Sequence, residues 1–146
     1  MQLDTEVDSR RWDKFFPTDQ QGPCIERMRD TVAGMPGAYC MVLSSLDGMQ
    51  LARVINREIN TSRLAAITGS LCGLGETLAK ELGQAEFRDV MISTNTGIAV
   101  VQRVPPPGDR MVLLIAANHE SNVGIVSAQS RWCAQALGQA AFRPVD

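Results

Sequence analysis

The longest regular pattern of apolar residues in the chain lies between Asn60 and Gln84. Asn60, Thr61 and Ser62 offer three possible N-caps, and Gly83 can end a helix in a left-handed conformation. Large apolar residues recur at steps of three and four, which places them on one side of an α-helix. They are Leu64, Ile67, Leu71, Leu74, Leu78 and Leu82. The pattern predicts a helix here, around which the other elements are arranged.

A second stripe of the same helix carries only small residues. It consists of Ala65, Thr68, Gly69, Cys72, Gly73, Gly75 and Ala79. Each glycine inside a helix costs roughly 1 kcal/mol relative to alanine, so three of them indicate that something passes close to this side. Two explanations are open at this point. Either a second copy of the chain packs there with two-fold symmetry, or the sheet of the same subunit does.

Shorter apolar runs, separated by turn residues, predict the remaining elements. We expect a helix over residues 23–33, strands over 38–46, 49–56, 87–94, 98–104 and 111–117, and a last helix over 121–141. Asp47-Gly48 predicts a tight hairpin between the first two strands. Short turns make adjacent strands antiparallel. The order α-β-β-α-β-β-β-α predicts a layered α/β domain, a five-stranded antiparallel sheet with helices on both faces.

Residues 1–21 mix charges of both signs and show no period. We predict a flexible N-terminal arm there and a single domain over residues 22–146. Trp12, Phe15 and Phe16 are large apolar groups within this polar segment. They are candidates for binding a partner. The alternative is that they dock on their own domain, because burying an aromatic side chain stabilises by a few kcal/mol.

Composition and charge narrow the classes of function. A net charge of −2 and 5% aromatic residues give no basic or stacking surface for nucleic acid. No apolar run reaches the roughly 20 residues of a membrane span, so we expect no membrane insertion. The N-terminus is polar and acidic, unlike a signal peptide. The four cysteines form no Cys-x-x-Cys pair, which is typical of free thiols in the cytoplasm.

The residue types needed for catalysis do not form a recognisable set. His119 is the only histidine, and Gly69 to Gly75 lacks the Lys-Ser/Thr ending of a phosphate loop. No nucleophile with a general base, and no set of metal ligands, can be assembled. We therefore predict a protein that is not an enzyme and that uses no cofactor or metal.

Several local motifs occur in an order that resembles the roadblock family of dynein light chains and their bacterial relatives. They are Leu46-Asp47-Gly48-Met49 between the first two strands, Leu64-Ala65-Ala66 in the central helix, the hairpin that turns at Gly97, Val112-Leu113-Leu114-Ile115, and Asn122-Val123-Gly124. The resemblance covers roughly residues 23–142 and implies the profilin-like roadblock fold. The N-terminal residues and the loop at Pro105 to Pro107 lie outside the shared pattern.

The resemblance also implies how the chain assembles. Roadblock proteins form homodimers or heterodimers in which two sheets join edge to edge through the strand after the central helix, and the two central helices pack side by side. The interface candidates in this chain are Ala65, Thr68, Gly69, Cys72, Gly73, Gly75, Glu76, Arg88, Val90, Ile92 and Thr94. The family has no catalytic residues of its own. Many bacterial and archaeal members bind Ras-like small GTPases and alter their nucleotide state.

We therefore expect a cytoplasmic, homodimeric regulatory module that binds a Ras-like small GTPase and modulates its nucleotide state or localisation. The alternative is an adaptor or tether, of the dynein-light-chain or sensor-kinase type, that has no effect on nucleotide turnover. A small-molecule sensor of the related PAS-type class would need a cavity with convergent polar groups. The sheet faces are expected to be filled by leucine and valine instead.

Overall fold

A computed structural model describes residues 2–143 of the chain. Its elements in chain order are β1 (Asp4–Val7), α1 (Ser9–Phe15), α2 (Thr18–Gly34), β2 (Ala38–Ser45), β3 (Gln50–Ile55), α3 (Thr61–Glu81), β4 (Asp89–Thr94), β5 (Gly97–Arg103), β6 (Met111–Asn118) and α4 (Val123–Ala140). The helices and strands predicted from residue 38 onward are all present, with their ends shifted by a few residues.

The strands form one antiparallel sheet in the order β1-β3-β2-β6-β5-β4. β6 lies inside it, paired with β2 on one side and with β5 on the other. Its residues from Met111 to Ala117 are buried, as an uninterrupted apolar strand predicts. The predicted antiparallel α/β fold is confirmed, with six strands described instead of five.

The helices cover the two faces of the sheet unequally. Because successive side chains of a strand point to opposite faces, Met41 and Leu43 of β2 join one apolar cluster while Cys40 and Val42 join another. The first cluster contains side chains of α1, α2 and α4. The second contains those of α3 alone among the helices. The central helix therefore covers one face by itself.

The additional strand comes from the N-terminal segment, where the structure differs from the flexible arm that the sequence predicted. Residues 4–7 pair with β3, from Asp4 opposite Ile55 to Val7 opposite Ala52. Arg53 of β3 forms ion pairs with Asp4 and Glu6. Some of the charges that follow no period in this segment therefore form ion pairs with a neighbouring strand. Local periodicity cannot reveal such pairs, because their members lie far apart in the sequence.

The predicted start of the second helix at Pro23 is wrong, because α2 begins at Thr18 and contains this proline. Proline lacks an N–H, and as the sixth residue of α2 Pro23 leaves the carbonyl of Asp19, four residues earlier, without its helical hydrogen bond. Cys24 and Met28 on the same helix are buried in the core. Their packing holds the helix against the sheet beyond the proline.

Candidate protein-interaction surface

The central helix α3 begins and ends as its sequence predicts. The Asn60 side chain accepts a hydrogen bond from the backbone N–H of Arg63 at 3.1 Å, which is the geometry of an N-cap. Gly83 has a φ of 66°, a left-handed conformation that follows the last turn. The helix is therefore fixed at both ends by local sequence, while its rotation about its own axis is decided by what it packs against.

Three members of the small-residue stripe of α3 face the sheet of their own chain. Ala65, Thr68 and Cys72 are each no more than 1% exposed and lie against the sheet. Of the two explanations left open by the sequence, the structure supports packing within the subunit. Ala65, Thr68 and Cys72 are therefore corrected as interface candidates, because their own sheet already covers them.

The glycines of α3 have different surroundings. A Cβ on Gly69 would lie 2.9 Å from the carbonyl oxygen of Leu46 and 3.1 Å from the Cα of Gly48, so the loop between β2 and β3 requires glycine here. Gly48 itself has a φ of 87° in that loop. A Cβ on Gly75 would collide with the Phe87 ring, whereas one on Gly73 would meet nothing within 4 Å.

Parts of their own chain thus approach Gly69 and Gly75, which explains both glycines without a second copy of the chain. The loop opposite Gly69 runs over four residues between Ser45 and Gln50, longer than the two-residue turn predicted from Asp47-Gly48. The Ser45 hydroxyl donates a hydrogen bond to the Asp47 carboxylate within it. Gly73 lies on an open side of the helix and stays a candidate.

Four of the six large apolar residues of α3 lie on its solvent side, while Leu64 and Leu71 are half-buried against the core. Exposed fractions are 48% for Ile67, 67% for Leu74, 61% for Leu78 and 61% for Leu82. Isolated exposed apolar residues are ordinary on protein surfaces, but a contiguous set marks an interaction site. We call the exposed set Ile67, Leu74, Leu78 and Leu82 the leucine stripe. The periodicity of these residues is visible in the sequence, but the predicted interface candidates on α3 lie on the neighbouring stripe of small residues and at Glu76.

An apolar groove of about 440 Å³ adjoins the leucine stripe. Ile67 and Leu71 of α3 form one wall, Ile92 of β4 forms another, and Leu114 and Ala116 of β6 lie among its lining residues. The groove joins the helix to the edge of the sheet. It therefore makes the leucine stripe and β4 one continuous surface.

Strand β4 is an edge strand, hydrogen-bonded to β5 only. Its residues from Met91 to Thr94 are exposed, including Ile92 at 37%. Val90 is half-buried against the α3 side of the sheet, and the nearby Arg88 pairs with Asp89 at 3.0 Å. The predicted candidates Ile92 and Thr94 thus lie on an open edge, whose unpaired backbone groups can pair with another strand.

The other predicted interface residue on α3, Glu76, has a partner within the chain. Its carboxylate forms an ion pair with Arg103 of β5, and Arg103 also donates to the Asp109 carbonyl oxygen. Burial raises the pKa of the nearby Cys72 thiol, with a smaller contribution in the same direction from Glu76. This part of α3 is therefore tied to its own sheet.

The prediction of free, buried cysteine thiols is confirmed for all four residues. Burial is also the main cause that raises the pKa of Cys24, Cys40 and Cys133 to about 11. Such thiols stay protonated near neutral pH and are poor nucleophiles. Within residues 2–143, no group of three or more His, Cys, Asp or Glu residues could hold a metal ion.

The aromatic residues of the N-terminal segment divide between the core and its rim. Trp12 and Phe16 are 2% and 1% exposed, with ring centroids 4.6 Å apart. Phe15 is half-buried, and Arg110 lies 5.8 Å from the centre of its ring. Trp12 and Phe16 are therefore corrected as partner-binding candidates. They dock on their own domain, the alternative that the sequence left open.

The chain is thus a small α/β domain. Its antiparallel sheet carries one helix on one face and three on the other, and it has an open apolar edge. The sequence profile of the Roadblock/LC7 domain family matches residues 25–117, so the chain belongs to this family and its resemblance to roadblock proteins is confirmed. We therefore describe the chain as a roadblock-domain protein.

Solved structures with the same fold come from several bacteria. The gliding protein MglB from Thermus thermophilus is 19% identical, with a TM-score of 0.74 over 82% of this chain and 89% of that one. Myxococcus xanthus MglB is 20% identical, with a TM-score of 0.68 over 84% and 94%. A Roadblock/LC7 domain from Streptomyces avermitilis is 19% identical, with a TM-score of 0.66 over 77% and 92%. No curated protein sequence matches the chain.

Among the described residues, no helix is both long and apolar enough to cross a membrane.

Proposed function

We propose that the protein is a non-enzymatic homodimer that binds a Ras-like small GTPase and modulates its nucleotide state or localisation. The homodimer is proposed because three features form a continuous surface on one side of the domain. The leucine stripe, the 440 Å³ groove and the open edge of β4 adjoin one another. Membership in the Roadblock/LC7 domain family supports the regulatory role.

The proposed dimer pairs β4 with β4 of a second copy and places the two α3 helices side by side. Ile92 and Thr94 then lie at the junction of the sheets, and Leu74 and Leu78 lie between the helices. A two-fold axis brings the same patch of each subunit together, and apolar side chains such as Ile92, Leu74 and Leu78 can face their own copies without like-charge repulsion. Burial of a leucine is worth about 1.5–3 kcal/mol, so the stripe supplies a substantial driving force.

The second part of the proposal is that the partner is a Ras-like GTPase. It follows from what the roadblock resemblance implies. Dimerisation doubles every exposed feature around the α3 pair and creates a composite surface that a monomer lacks. We place the complex in the cytoplasm, where thiols such as the four free cysteines stay reduced.

The test measures binding and nucleotide turnover separately. A Ras-like GTPase of the same organism, loaded with GDP or with a non-hydrolysable GTP analogue, is titrated with the protein in a calorimeter. The same pair is then followed for phosphate release and for nucleotide exchange. Binding in one nucleotide state, with a change in either rate, supports the proposal. No binding in both states overturns the GTPase assignment and leaves the dimer untouched.

The second candidate function is an adaptor or tether. The specific observation that favours it is the open β4 edge, because an exposed strand can capture an extended segment of a partner by β-augmentation. Binding of a GTPase with unchanged hydrolysis and exchange rates would favour this candidate over regulation.

A further inference from the structure

The apolar groove beside α3 runs inward across the sheet from its open edge. Ile92 of β4 pairs with Ala99 of β5. Ala99 in turn lies opposite Ala116 of β6, which lies opposite Cys40 of β2. All four residues line the groove. They therefore form one row across neighbouring strands, and because such strands lie about 4.8 Å apart, the row is about 14 Å long.

The groove exists because the inner part of this row carries small side chains. Ala99, Ala116 and Cys40 project little from the sheet, and α3 leaves the space above them open. The helix supplies the facing wall with the side chains of its first turns, which are Leu64, Ile67, Thr68 and Leu71. The result is an elongated space of about 440 Å³, within the usual size range of small-molecule sites.

The inner end of the groove is cationic. Of the described residues that line it, only Arg57 is charged. The Arg57 guanidinium lies 3.7 Å from the centre of the Tyr39 ring. Stacking of this kind uses the flat face of the guanidinium and leaves the N–H groups at its edge available to a carboxylate. In the described part of the chain, no carboxylate forms an ion pair with Arg57.

The cationic end is also accessible to water. On its other side Arg57 lines a wider polar groove of about 1010 Å³, together with Arg29, Arg53, Asp4 and Glu58. Arg53 pairs with Asp4 there at 3.1 Å. Burying a charge away from water is costly, so a ligand with its charged group at this end keeps that group hydrated. The groove thus suits a ligand with an apolar body and one anionic end.

We propose that the groove binds a free fatty acid, with its carboxylate on Arg57 and its hydrocarbon chain along the row from Cys40 to Ile92. A linear hydrocarbon chain matches the elongated shape and the apolar walls. A second copy of the chain does not supply the anion, because neither the leucine stripe nor the exposed residues 91–94 of β4 contain a carboxylate. This site is additional to the proposed dimer and does not depend on the GTPase.

The first experiment compares ligands by calorimetry on the full chain, each below the concentration at which it forms micelles. Decanoate and decylamine have the same chain and opposite charges, so Arg57 should make decanoate bind at least tenfold more tightly. Octanoate should bind more weakly than decanoate, by about fourfold for each methylene removed. Equal affinity for decanoate and decylamine, or no dependence on chain length, would overturn the proposal.

The second experiment changes the two ends of the argument separately. Arg57→Gln should weaken decanoate binding by about tenfold or more, because a charged hydrogen-bonding partner is lost, and should not weaken decylamine. Arg63→Gln, at an exposed arginine of α3 outside the groove, is the matched control and should bind as wild type. Ala116→Leu fills the middle of the row and should abolish binding of both ligands. Thermal unfolding checks that this variant is folded, and a folded Ala116→Leu that binds decanoate normally would exclude the groove.

The dimer needs its own control, since Ile67 and Ile92 belong to the surface that the proposed dimer buries. The decanoate titration is therefore repeated on Leu78→Glu, a substitution outside the groove that is designed to weaken the dimer. Binding to both proteins supports the site. Binding to Leu78→Glu alone also supports it and shows that the second copy covers the groove in the dimer. No binding to either protein overturns the fatty-acid site and leaves the dimer and GTPase proposals untouched.

Discussion

The two edges of the sheet meet solvent in different ways. β1 is a four-residue strand with Asp4 and Glu6 exposed, and both pair with Arg53 on the adjacent strand. β4 is a six-residue strand whose exposed residues include Met91 and Ile92. Short edge strands with charged side chains resist pairing with other chains, whereas long uncharged ones invite it.

The two edges also differ in the structure that lies behind them. The segment that forms β1 continues into α1, which buries Trp12 and so anchors that side to the core. Behind β4 lie the groove and the exposed leucine stripe of α3. The domain's own N-terminal segment thus closes the β1 side, whereas the β4 edge and the apolar surface behind it stay open.

The largest effect is expected from a charge in the leucine stripe. Leu78→Glu should raise the dimer dissociation constant by about 100-fold or more, because two leucines leave the interface at about 1.5–3 kcal/mol each. Light scattering on a dilution series measures it. Val123→Glu, which also places a carboxylate at an exposed aliphatic position of a helix, serves as the control and should behave as wild type. A Leu78→Glu variant that stays dimeric would show that the leucine stripe behind β4 is not the dimer interface.

On the β1 side of the domain, Trp12→Ala should lower the free energy of unfolding by about 3–5 kcal/mol, the usual cost of removing a large buried aromatic side chain. Chemical denaturation followed by circular dichroism measures this loss. The partly exposed Phe15→Ala should lose less. If Trp12→Ala unfolds like the wild type, the N-terminal segment does not anchor β1 to the core.

Two glycines of α3 lie in different surroundings, Gly69 on the covered side of the helix and Gly73 on the open side. Gly69→Ala should destabilise by about 1–3 kcal/mol, because its Cβ would press on the loop at Leu46 and Gly48. Gly73→Ala meets nothing and should stabilise the helix by about 0.5–1 kcal/mol. Thermal unfolding of the pair gives the sign of each change. Equal effects would mean that the hairpin does not approach Gly69.

The smallest effect is expected from a pair of substitutions that compares the two edge strands directly. Ile92→Lys on β4 should weaken the dimer by about tenfold, since a lysine on an edge strand opposes pairing with a second copy. Glu6→Lys on β1 removes an exposed ion pair, worth about 0–1 kcal/mol, and places a lysine beside Arg53. Because β1 lies at the opposite edge of the sheet from β4, the dimer dissociation constant should stay unchanged. A greater effect of Glu6→Lys on dimerisation would reverse the assignment of the two edges.

Local sequence was sufficient for most of the elements and for the ends of the central helix. Asn60 and Gly83 act on backbone groups only a few residues away, so their roles can be read directly from the chain. The apolar run at Met111 likewise predicts an inner strand, because only a strand covered on both faces lacks polar positions. The roadblock resemblance then supplied the arrangement of these elements.

The functional surface was harder to predict, since periodicity gives the stripes of a helix but not its rotation. The sequence marked both the leucines and the glycines of α3, yet the interface candidates were placed on the small residues. The packing partner decides the rotation. Gly69 faces the β2–β3 loop and Cys72 faces the sheet, which turns Leu74 and Leu78 to the solvent.

By itself, the sequence therefore determined most of the helices and strands and their antiparallel order, together with the family to which they belong. Tertiary structure alone decided that residues 4–7 complete the sheet, that Trp12 is part of the core, and that α3 turns its small residues inward. The physical reason is the range of the interactions. Caps, turns and periodicity act between residues close in sequence, whereas strand pairing and core packing join residues such as Asp4 and Arg53, which no local pattern connects.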